Sequence, residues 1–280
     1  MQKAYKKYFW IFVLPTLIAF TLFFIIPFIS GIILSFCKFT TVTNATFVGF
    51  ANYIKAFSNK DFINALWFTS KFTVASVITV NVFAFILAYV LTRGIKGTNA
   101  FRTIFFMPNL IGGIVLGYIW QLLINGVLAK WGVTITTSEQ YGFWGMVILT
   151  NWQLIGYMMI IYIAGIQNVP SEIVEAAKID GATKLQTLFK VTIPMVMPSF
   201  TIALFLTLTN SFKMFDQNLA LTAGAPARKT SMMALDIFTT FYNRNGWEGV
   251  GQAKAVIFFI IVGVIALIQL RITRNKEVEN

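Results

Sequence analysis

The sequence predicts an all-α polytopic membrane protein with six transmembrane helices. Hydrophobic residues make up 57% of the 280 residues and charged residues only 11%, whereas a soluble surface needs far more charge. The apolar residues also form six runs, each near or above the about 20 residues with which a helix crosses a bilayer. These runs lack the alternation of barrel strands, so helices are the structure that satisfies their backbone hydrogen bonds in lipid.

The first apolar run follows a short basic N-terminus and is about twice as long as the core of a signal peptide. We therefore interpret it as a retained helix that is kinked at Pro15 and Pro27. Five further runs follow along a single domain of residues 1–280. The predicted spans cover residues 9–36, 62–91, 104–124, 143–166, 191–214 and 253–270.

The basic residues indicate how the six spans are oriented. An even number of spans places both termini on one side, and cytoplasmic loops carry an excess of lysine and arginine. With cytoplasmic termini, twelve basic residues lie in the shorter inside segments and eight in the longer outside loops. The inside residues are Lys3, Lys6, Lys7, Arg93, Lys96, Arg102, Lys178, Lys184, Lys190, Arg271, Arg274 and Lys276. The sequence therefore predicts that both termini are cytoplasmic.

Missing residue types exclude several kinds of chemistry. The chain has no histidine, which excludes histidine catalysis and histidine-ligated metal sites. Cys37 is the one cysteine, so no intrachain disulfide and no cysteine-rich metal site can form. The stretch from Gly94 to Thr98 comes nearest to a P-loop, but it lacks the spacing and the Gly-Lys-Ser/Thr end of that motif. We expect no catalytic residue, no bound metal and no ATPase activity in this chain.

The segment 168–190, between predicted spans four and five, has the signals of two short helices. Ser171 suits an N-cap and Gly181 a helix end. Thr183 with Gln186 forms a capping box that starts a second helix. We expect a short cytoplasmic helix-turn-helix here. The alternative interpretation is an amphipathic helix pair that lies on the membrane surface.

The same segment carries a motif. The run Glu175-Ala-Ala is followed after three residues by Gly181, and after nine more by Val191-x-Ile-Pro. This pattern resembles the EAA motif of ABC importer permeases, with valine and isoleucine as conservative replacements in its last part. The wider form, E-A-A-x-x-D-G-A, is present in full from Glu175 to Ala182.

The resemblance extends over most of the chain. Arg102 and Pro108 match the R-x-x-x-x-x-P pattern that precedes span three in this family. The stretch from Phe215 to Pro226 resembles the F-D-x-x-x-x-L-T-x-G-x-P segment of the carbohydrate-uptake, maltose-type branch. Ala225 departs from the family, where a further glycine is common, and the loop after span one is too short for a large extracellular domain. The chain thus resembles the compact six-span form.

The resemblance implies a permease subunit of a heteromeric, binding-protein-dependent importer in a prokaryotic cell membrane. The subunit would form half of the translocation pathway for a sugar or oligosaccharide delivered by an extracytoplasmic binding protein. Its other partners would be a related but different permease chain and two copies of an ATPase subunit, which would use ATP and magnesium; no nucleic acid is expected. The residues implied in ATPase coupling are Glu175, Ala176, Ala177, Asp180, Gly181, Ala182 and Pro194.

Polar residues within the apolar runs predict where the substrate passes. Transport sites lie near the midplane and combine polar side chains with interrupted helices, and amides and hydroxyls suit sugar hydroxyls. The resemblance places Lys213 and Met214 in the pocket, and we expect Asp216 to neutralise Lys213 from the same helical face. For the polar side chains, hydrogen bonding between helices is the alternative role. The predicted pathway residues are Asn151, Asn210, Ser211, Lys213, Met214, Asp216, Gln217 and Gln252.

Two other kinds of transporter stay open as alternatives. One is an ABC permease for another small polar solute such as glycerol phosphate, which abundant arginine in the pocket would favour. The other is a secondary carrier, which needs acidic residues within the spans for ion coupling. The predicted spans contain essentially no acidic residue apart from Asp216 near an edge. Co-purification of an ATPase subunit would distinguish an importer from a carrier.

Overall fold

The computed structural model describes residues 2–275, and α-helix dominates that part of the chain. The strands β1 (Cys37–Lys38) and β2 (Thr46–Phe47) form a short antiparallel hairpin. Because each of these strands is only two residues long and helix dominates the described residues, the prediction of an all-α fold is confirmed. Lys276, one of the basic residues used to orient the spans, lies outside the described residues.

The described chain contains fourteen α-helices. The first seven are α1 (Gln2–Phe20), α2 (Ile26–Ser35), α3 (Ala51–Phe57), α4 (Lys60–Leu91), α5 (Thr98–Phe106), α6 (Gly113–Leu128) and α7 (Glu139–Gln167). The next seven are α8 (Ser171–Ile179), α9 (Lys184–Thr187), α10 (Ile193–Met195), α11 (Met197–Phe212), α12 (Asp216–Leu221), α13 (Met233–Asn243) and α14 (Glu248–Arg274). Helices α3, α12 and α13 have no counterpart among the predicted elements.

Five stretches of the described chain are long and apolar enough to cross a membrane as helices. They are Phe9–Ser35, Lys60–Leu91, Gly113–Trp131, Glu139–Gln167 and Glu248–Arg274. A sixth is present if the bent pair of Lys184–Met195 and Met197–Phe212 counts as one span. The chain is therefore a polytopic membrane protein with five or six helices of spanning length.

Two π-helical turns each precede a proline by two residues. The turn Thr21–Ile25 joins α1 to α2 and leads to Pro27, and the turn Leu188–Thr192 joins α9 to α10 and leads to Pro194. A proline ring clashes with the carbonyl four residues earlier in an α-helix, and a π turn is a wider single turn within a helix. The wider turns let the helix continue through both prolines.

The prediction of an unbroken span over 104–124 is wrong. Helix α5 ends at Phe106, a 3-10 turn (Met107–Leu110) follows, and α6 begins at Gly113. Pro108 lies in that turn and has no amide hydrogen to donate, and two consecutive glycines then disfavour helix. The apolar run therefore folds as two helices, and only the second is long enough to cross a bilayer.

The predicted span over 191–214 contains a sharp bend. The helix that starts at Lys184 continues through Met195, and the chain then bends by 70° before α11 begins. Pro194 and Pro198 flank the bend, and neither has an N–H for the helical hydrogen-bond ladder. The span-five sequence therefore forms two arms of different direction, and the second arm ends at Phe212.

The described chain divides into two compact units, of which the first comprises the residues up to Phe62 and Ile237–Phe259. Asn52 connects the end of α2 to β1, since its amide nitrogen lies 2.9 Å from the carbonyl oxygens of both Ser35 and Cys37. In the same unit the buried ammonium of Lys254 donates to the Thr240 hydroxyl at 2.8 Å. The side chains of Asn52 and Lys254 are thus both buried and hydrogen-bonded, as their desolvation requires.

The second unit comprises Ile63–Asp236 and the residues from Ile260 onwards. A core cluster joins α4, α7 and α11 through buried residues that include Ala84, Met158 and Ala203. A hydrogen-bond chain crosses the same three helices. The Tyr162 hydroxyl donates to Asn81 Oδ1 at 2.7 Å, and Asn81 Nδ2 donates to Thr207 Oγ1 at 3.2 Å. Such bonds hold helices together where lipid supplies no hydrophobic driving force.

Helix α7 contacts α5 through a glycine. A Cβ built at Gly156 would overlap the carbonyl group of Phe105 and would lie 2.7 Å from the amide nitrogen of Phe106. Because backbone atoms cannot rotate away as a side chain can, this contact depends on the absence of a Cβ. Gly263 in α14 is the opposite case, since a Cβ there meets nothing within 4 Å.

We expect Gly156→Ala to destabilise the protein by about 1–3 kcal/mol or more, because the added methyl group overpacks the α5–α7 contact. Gly263→Ala is the matched control and should be neutral or stabilising, because alanine favours helix by about 1 kcal/mol over glycine. Thermal unfolding of both variants in detergent measures the difference. Equal midpoints for the two variants would contradict the contact.

Candidate substrate cavity and coupling loop

A cavity of about 410 Å³ lies where the helical ladder between α11 and α12 is interrupted. Helix α11 ends at Phe212, and α12 begins at Asp216. The walls come from residues on both sides of this break, from the 3-10 turn Met107–Leu110 and from α7. The lining residues are Asn109, Gln153, Leu154, Asn210, Lys213, Met214, Phe215, Asp216 and Gln217. Four of the nine are amides, so the cavity is rich in groups that both donate and accept hydrogen bonds.

Glycines in α6 let α12 approach closely and so fix one wall of the cavity. A Cβ at Gly113 would lie 2.7 Å from the Cβ of Asp216, and a Cβ at Gly117 would lie 2.6 Å from the Cβ of Ala220. Gln121 adds a hydrogen bond, with its Nε2 2.9 Å from the carbonyl oxygen of Leu221. Helix α12 therefore packs against α6 along its whole length.

A hydrogen bond across the cavity joins α12 to α7. Gln217 Nε2 donates to Gln153 Oε1 at 2.8 Å. On the other side of α12, buried Asn218 donates to the carbonyl of Thr230 at 2.8 Å and accepts from the amide of Met232 at 2.9 Å. The position of Gln217 is therefore set by neighbours on both sides of its helix.

The expectation that Asp216 neutralises Lys213 from the same helical face is wrong. Lys213 is the residue after the end of α11, and Asp216 opens α12, so no continuous helix relates them. Both side chains are exposed. Within residues 2–275, they form no ion pair with each other within 4 Å. The cavity therefore presents one cation and one anion separately.

Five of the eight predicted pathway residues line the cavity, and three do not. The five are Asn210, Lys213, Met214, Asp216 and Gln217. Ser211 is buried on another side of α11. Asn151 donates to the Thr79 hydroxyl at 2.8 Å, a contact between helices α7 and α4. Gln252 lies in the first unit, where its amide packs against the backbone of Gly31.

The cavity also contains two polar residues that are absent from the predicted set. Gln153 lies two positions after Asn151, which on a helix turns it to another face. Asn109 lies in the 3-10 turn after Pro108. The polar triplet Asn151-Trp-Gln signals a polar site in α7, but its spacing cannot show which amide faces the cavity. The pair Pro108-Asn109 favours a turn, so the sequence does indicate an interruption of the helix at Asn109.

The loop between α7 and α11 has the helix-turn-helix form that its sequence predicts. Helix α8 ends in a Schellman motif, in which the Ala182 amide bonds to the Ala177 carbonyl and the Gly181 amide to the Lys178 carbonyl. Gly181 has φ +80°, a left-handed conformation that favours glycine. The capping box of Thr183 with Gln186 is present at the start of α9. One detail is wrong: Ser171 is the first residue of α8, and Pro170 takes the N-cap position without a side-chain bond.

The predicted coupling residues lie on the surface of this loop. Glu175, Ala176, Asp180 and Gly181 are exposed, and Ala177, Ala182 and Pro194 are half-buried. Large apolar side chains are exposed beside them: Ile179 by 86%, Leu185 by 68% and Phe189 by 63%. Large apolar side chains that are exposed in a loop with many charged residues are candidates for an interaction surface.

Comparison with known proteins gives a family for this arrangement. Residues 81–276 match the model of the family described as binding-protein-dependent transport system inner membrane component. The chain belongs to this family. The matched range contains the cavity and the loop, so both features lie in the part of the chain that defines the family. The resemblance to ABC importer permeases is confirmed.

Relatives in this family match the chain along nearly all of its length. The probable starch degradation products transport system permease protein AmyD of Thermoanaerobacterium thermosulfurigenes is 44% identical over 97% of this chain and 96% of its own length. The multiple sugar-binding transport system permease protein MsmF of Streptococcus mutans is 32% identical over 99% of both chains. Like these relatives, the chain is a transport permease subunit and a membrane protein.

The fold of the family agrees with a solved structure. A chain from a bacterial ABC transporter involved in the import of the acidic polysaccharide alginate superposes with a TM-score of 0.82. The superposition covers 98% of each chain at 20% sequence identity. At that identity the likeness shows the permease fold and nothing finer.

Replacing the cavity amides should weaken substrate affinity. Gln217→Ala and Asn210→Ala each remove hydrogen-bonding groups that line the cavity, and a lost bond of about 0.5–1.5 kcal/mol corresponds to roughly a two- to tenfold rise in the half-saturating concentration for uptake. Asn151→Ala is the matched control, because that amide faces Thr79 rather than the cavity. Uptake kinetics of the three variants give the comparison. An unchanged half-saturating concentration for both cavity variants would assign them to helix packing.

Proposed function

We propose that this chain forms half of the translocation pathway of an ATP-driven importer for a sugar or oligosaccharide. The observation that carries the proposal is the cavity at the α11–α12 break, where Asn109, Gln153, Asn210 and Gln217 converge. Amides match the mixed donor and acceptor character of sugar hydroxyls. The names of the two full-length relatives, which concern starch degradation products and multiple sugars, support the same substrate class.

The charges of the cavity favour a neutral solute over an anion. Lys213 and Asp216 contribute one charge of each sign, and no arginine is among the lining residues. A site for glycerol phosphate would favour bidentate arginine. Asp216 is the one carboxylate among the lining residues, whereas ion-coupled carriers depend on acidic residues within their spans. A polyhydroxyl substrate is therefore the best match.

The exposed loop supports a separate ATPase subunit as the source of energy. Ile179, Leu185 and Phe189 are uncovered in this chain, and a partner with an apolar groove would bury them. We assign Glu175 and Asp180 to polar contacts at this surface and Gly181 to the turn between α8 and α9. Two ATPase copies, which use ATP and magnesium, and a second permease chain would complete the transporter. An extracytoplasmic binding protein would deliver the sugar.

The whole proposal is tested by expressing the chain together with the products of its neighbouring genes. The complex that purifies with the chain is then reconstituted in liposomes. We expect an ATPase subunit to co-purify and sugar uptake to require both ATP and a binding protein. Uptake that needs an ion gradient and proceeds without any ATPase would contradict the proposal and favour a secondary carrier.

The turn glycine gives a specific test of coupling. Gly181→Val should reduce ATP-dependent uptake at least tenfold, because a β-branched residue strains the left-handed turn by about 1–2 kcal/mol and displaces both loop helices. Gly246→Val is the matched control, since Gly246 also has positive φ and open surroundings but lies between α13 and α14. Uptake and membrane insertion are measured together. Normal uptake by the Gly181 variant would remove the loop from the coupling mechanism.

The orientation of the chain is tested by cysteine labelling in a Cys37→Ser background. Lys96 lies in the connection that follows α4, and Thr137 lies in the connection that precedes α7. Both residues are exposed. We expect Lys96→Cys to react only with reagents that reach the cytoplasm, and Thr137→Cys with impermeant reagents added outside. Labelling of both positions from one side would contradict cytoplasmic termini.

A further inference from the structure

A second cavity, of about 470 Å³, lies behind the coupling loop within the second unit. Its walls come from the end of α4, the end of α7, one face of α8, and the α9 segment with the π turn that follows. Its lining includes the basic residues Arg93, Lys178 and Lys184 and the apolar residues Ile166, Val169 and Val174. The loop thus contributes Lys178 and Ala182 of the EAA segment to this cavity, whereas Glu175 and Asp180 do not line it.

Three basic side chains line the cavity, and no carboxylate is among its lining residues. Arg93 is held in place, since its guanidinium donates to the Tyr89 hydroxyl and lies 4.3 Å from the centroid of that ring. Lys178 and Lys184 form no ion pair within 4 Å in residues 2–275. Like charges that share a small space repel each other unless an anion lies between them.

The other walls suit an amphipathic anion. Ile166, Val169 and Val174 supply apolar surface next to the three cations. The cavity lies at the ends of α4 and α7, two helices of membrane-spanning length, so a lipid headgroup can reach it from the adjoining leaflet. Basic pockets between transmembrane helices on the cytoplasmic side bind anionic headgroups.

We propose that this cavity binds the phosphate headgroup of an anionic membrane lipid. The phosphate accepts charge-assisted hydrogen bonds from Arg93, Lys178 and Lys184. Since Lys178 is on α8 and Arg93 follows α4, the bound headgroup braces the coupling helix against the helix bundle. The proposal rests on the cytoplasmic placement of this loop, which belongs to the proposed function.

The test is native mass spectrometry of the full-length chain, purified with whatever subunits accompany it, titrated with short-chain phosphatidylglycerol or phosphatidylcholine. We expect the wild type to bind phosphatidylglycerol in preference to phosphatidylcholine. Each of Lys178→Gln and Lys184→Gln should weaken phosphatidylglycerol binding roughly fivefold, and the double variant roughly 25-fold. Lys96→Gln is the control, because Lys96 is an exposed lysine of the α4–α5 connection that does not line the cavity.

Two results would overturn the proposal. Equal phosphatidylglycerol binding by the wild type and the double variant would show that these lysines hold no headgroup. Competition by inorganic phosphate alone, without any preference among the lipids, would assign the cavity to a soluble phosphate compound. Lipid binding does not require an ATPase subunit. Failure of the importer proposal therefore shows as absent co-purification, whereas failure of the lipid site shows as unchanged binding in the lysine variants.

Discussion

Backbone hydrogen bonding in lipid is the constraint on which this structure depends. A bilayer core offers no water to unpaired amide or carbonyl groups, so a helix is interrupted there only where protein or a water-filled space surrounds the break. Within residues 2–275, two interruptions border the candidate substrate cavity: residues 107–112 before α6 and residues 213–215 after α11. Asn109 comes from the first and Lys213 to Phe215 from the second. The breaks supply residues that line the cavity, and the cavity can hold the water that their unpaired backbone groups need.

Close helix contacts then hold the interrupted elements in place. The short helix α12 has too few residues to be stable by itself, since isolated helices below about 12–15 residues are marginal. Gly113 and Gly117 let it lie against α6 at backbone distance, and the buried Asn218 ties it to the chain that follows. This packing aims Gln217 at Gln153. The polar site thus depends on close glycine contacts and on one buried asparagine that lie outside its lining.

In this protein the sequence predicts helix caps and turns well, and it predicts where the long helices break less well. The Schellman turn at Gly181 and the capping box at Thr183 depend on neighbouring residues alone, so a pattern of a few positions is enough to find them. The breaks at Pro108 and at Val196 lie within apolar runs, and hydropathy counts such a run as one span whether or not proline divides it. Ser171 shows the limit of a local rule, because Pro170 took the cap position that serine usually fills.

The candidate site shows the same division. The polar stretch from Asn210 to Gln217 marks the cavity because charged and amide groups are costly in lipid without a reason. Which amide of α7 joins them depends on the rotation of that helix against α4 and α12. Gln153 lines the cavity and bonds to Gln217, whereas Asn151 bonds to Thr79. The rotation is set by contacts far apart in sequence, such as Gly156 against Phe105.

The 70° bend at Val196 joins two helical arms that point in different directions. One arm starts at Lys184 in the candidate coupling loop, and the other ends at Phe212 beside the candidate substrate cavity. Because the arms are nearly perpendicular, a thrust along the first arm arrives at the second mostly as a sideways sweep rather than as a push along its axis. A straight helix would only slide past its neighbours under the same thrust. The bent one would swing its far end, which adjoins residues 213–217, across the candidate substrate cavity.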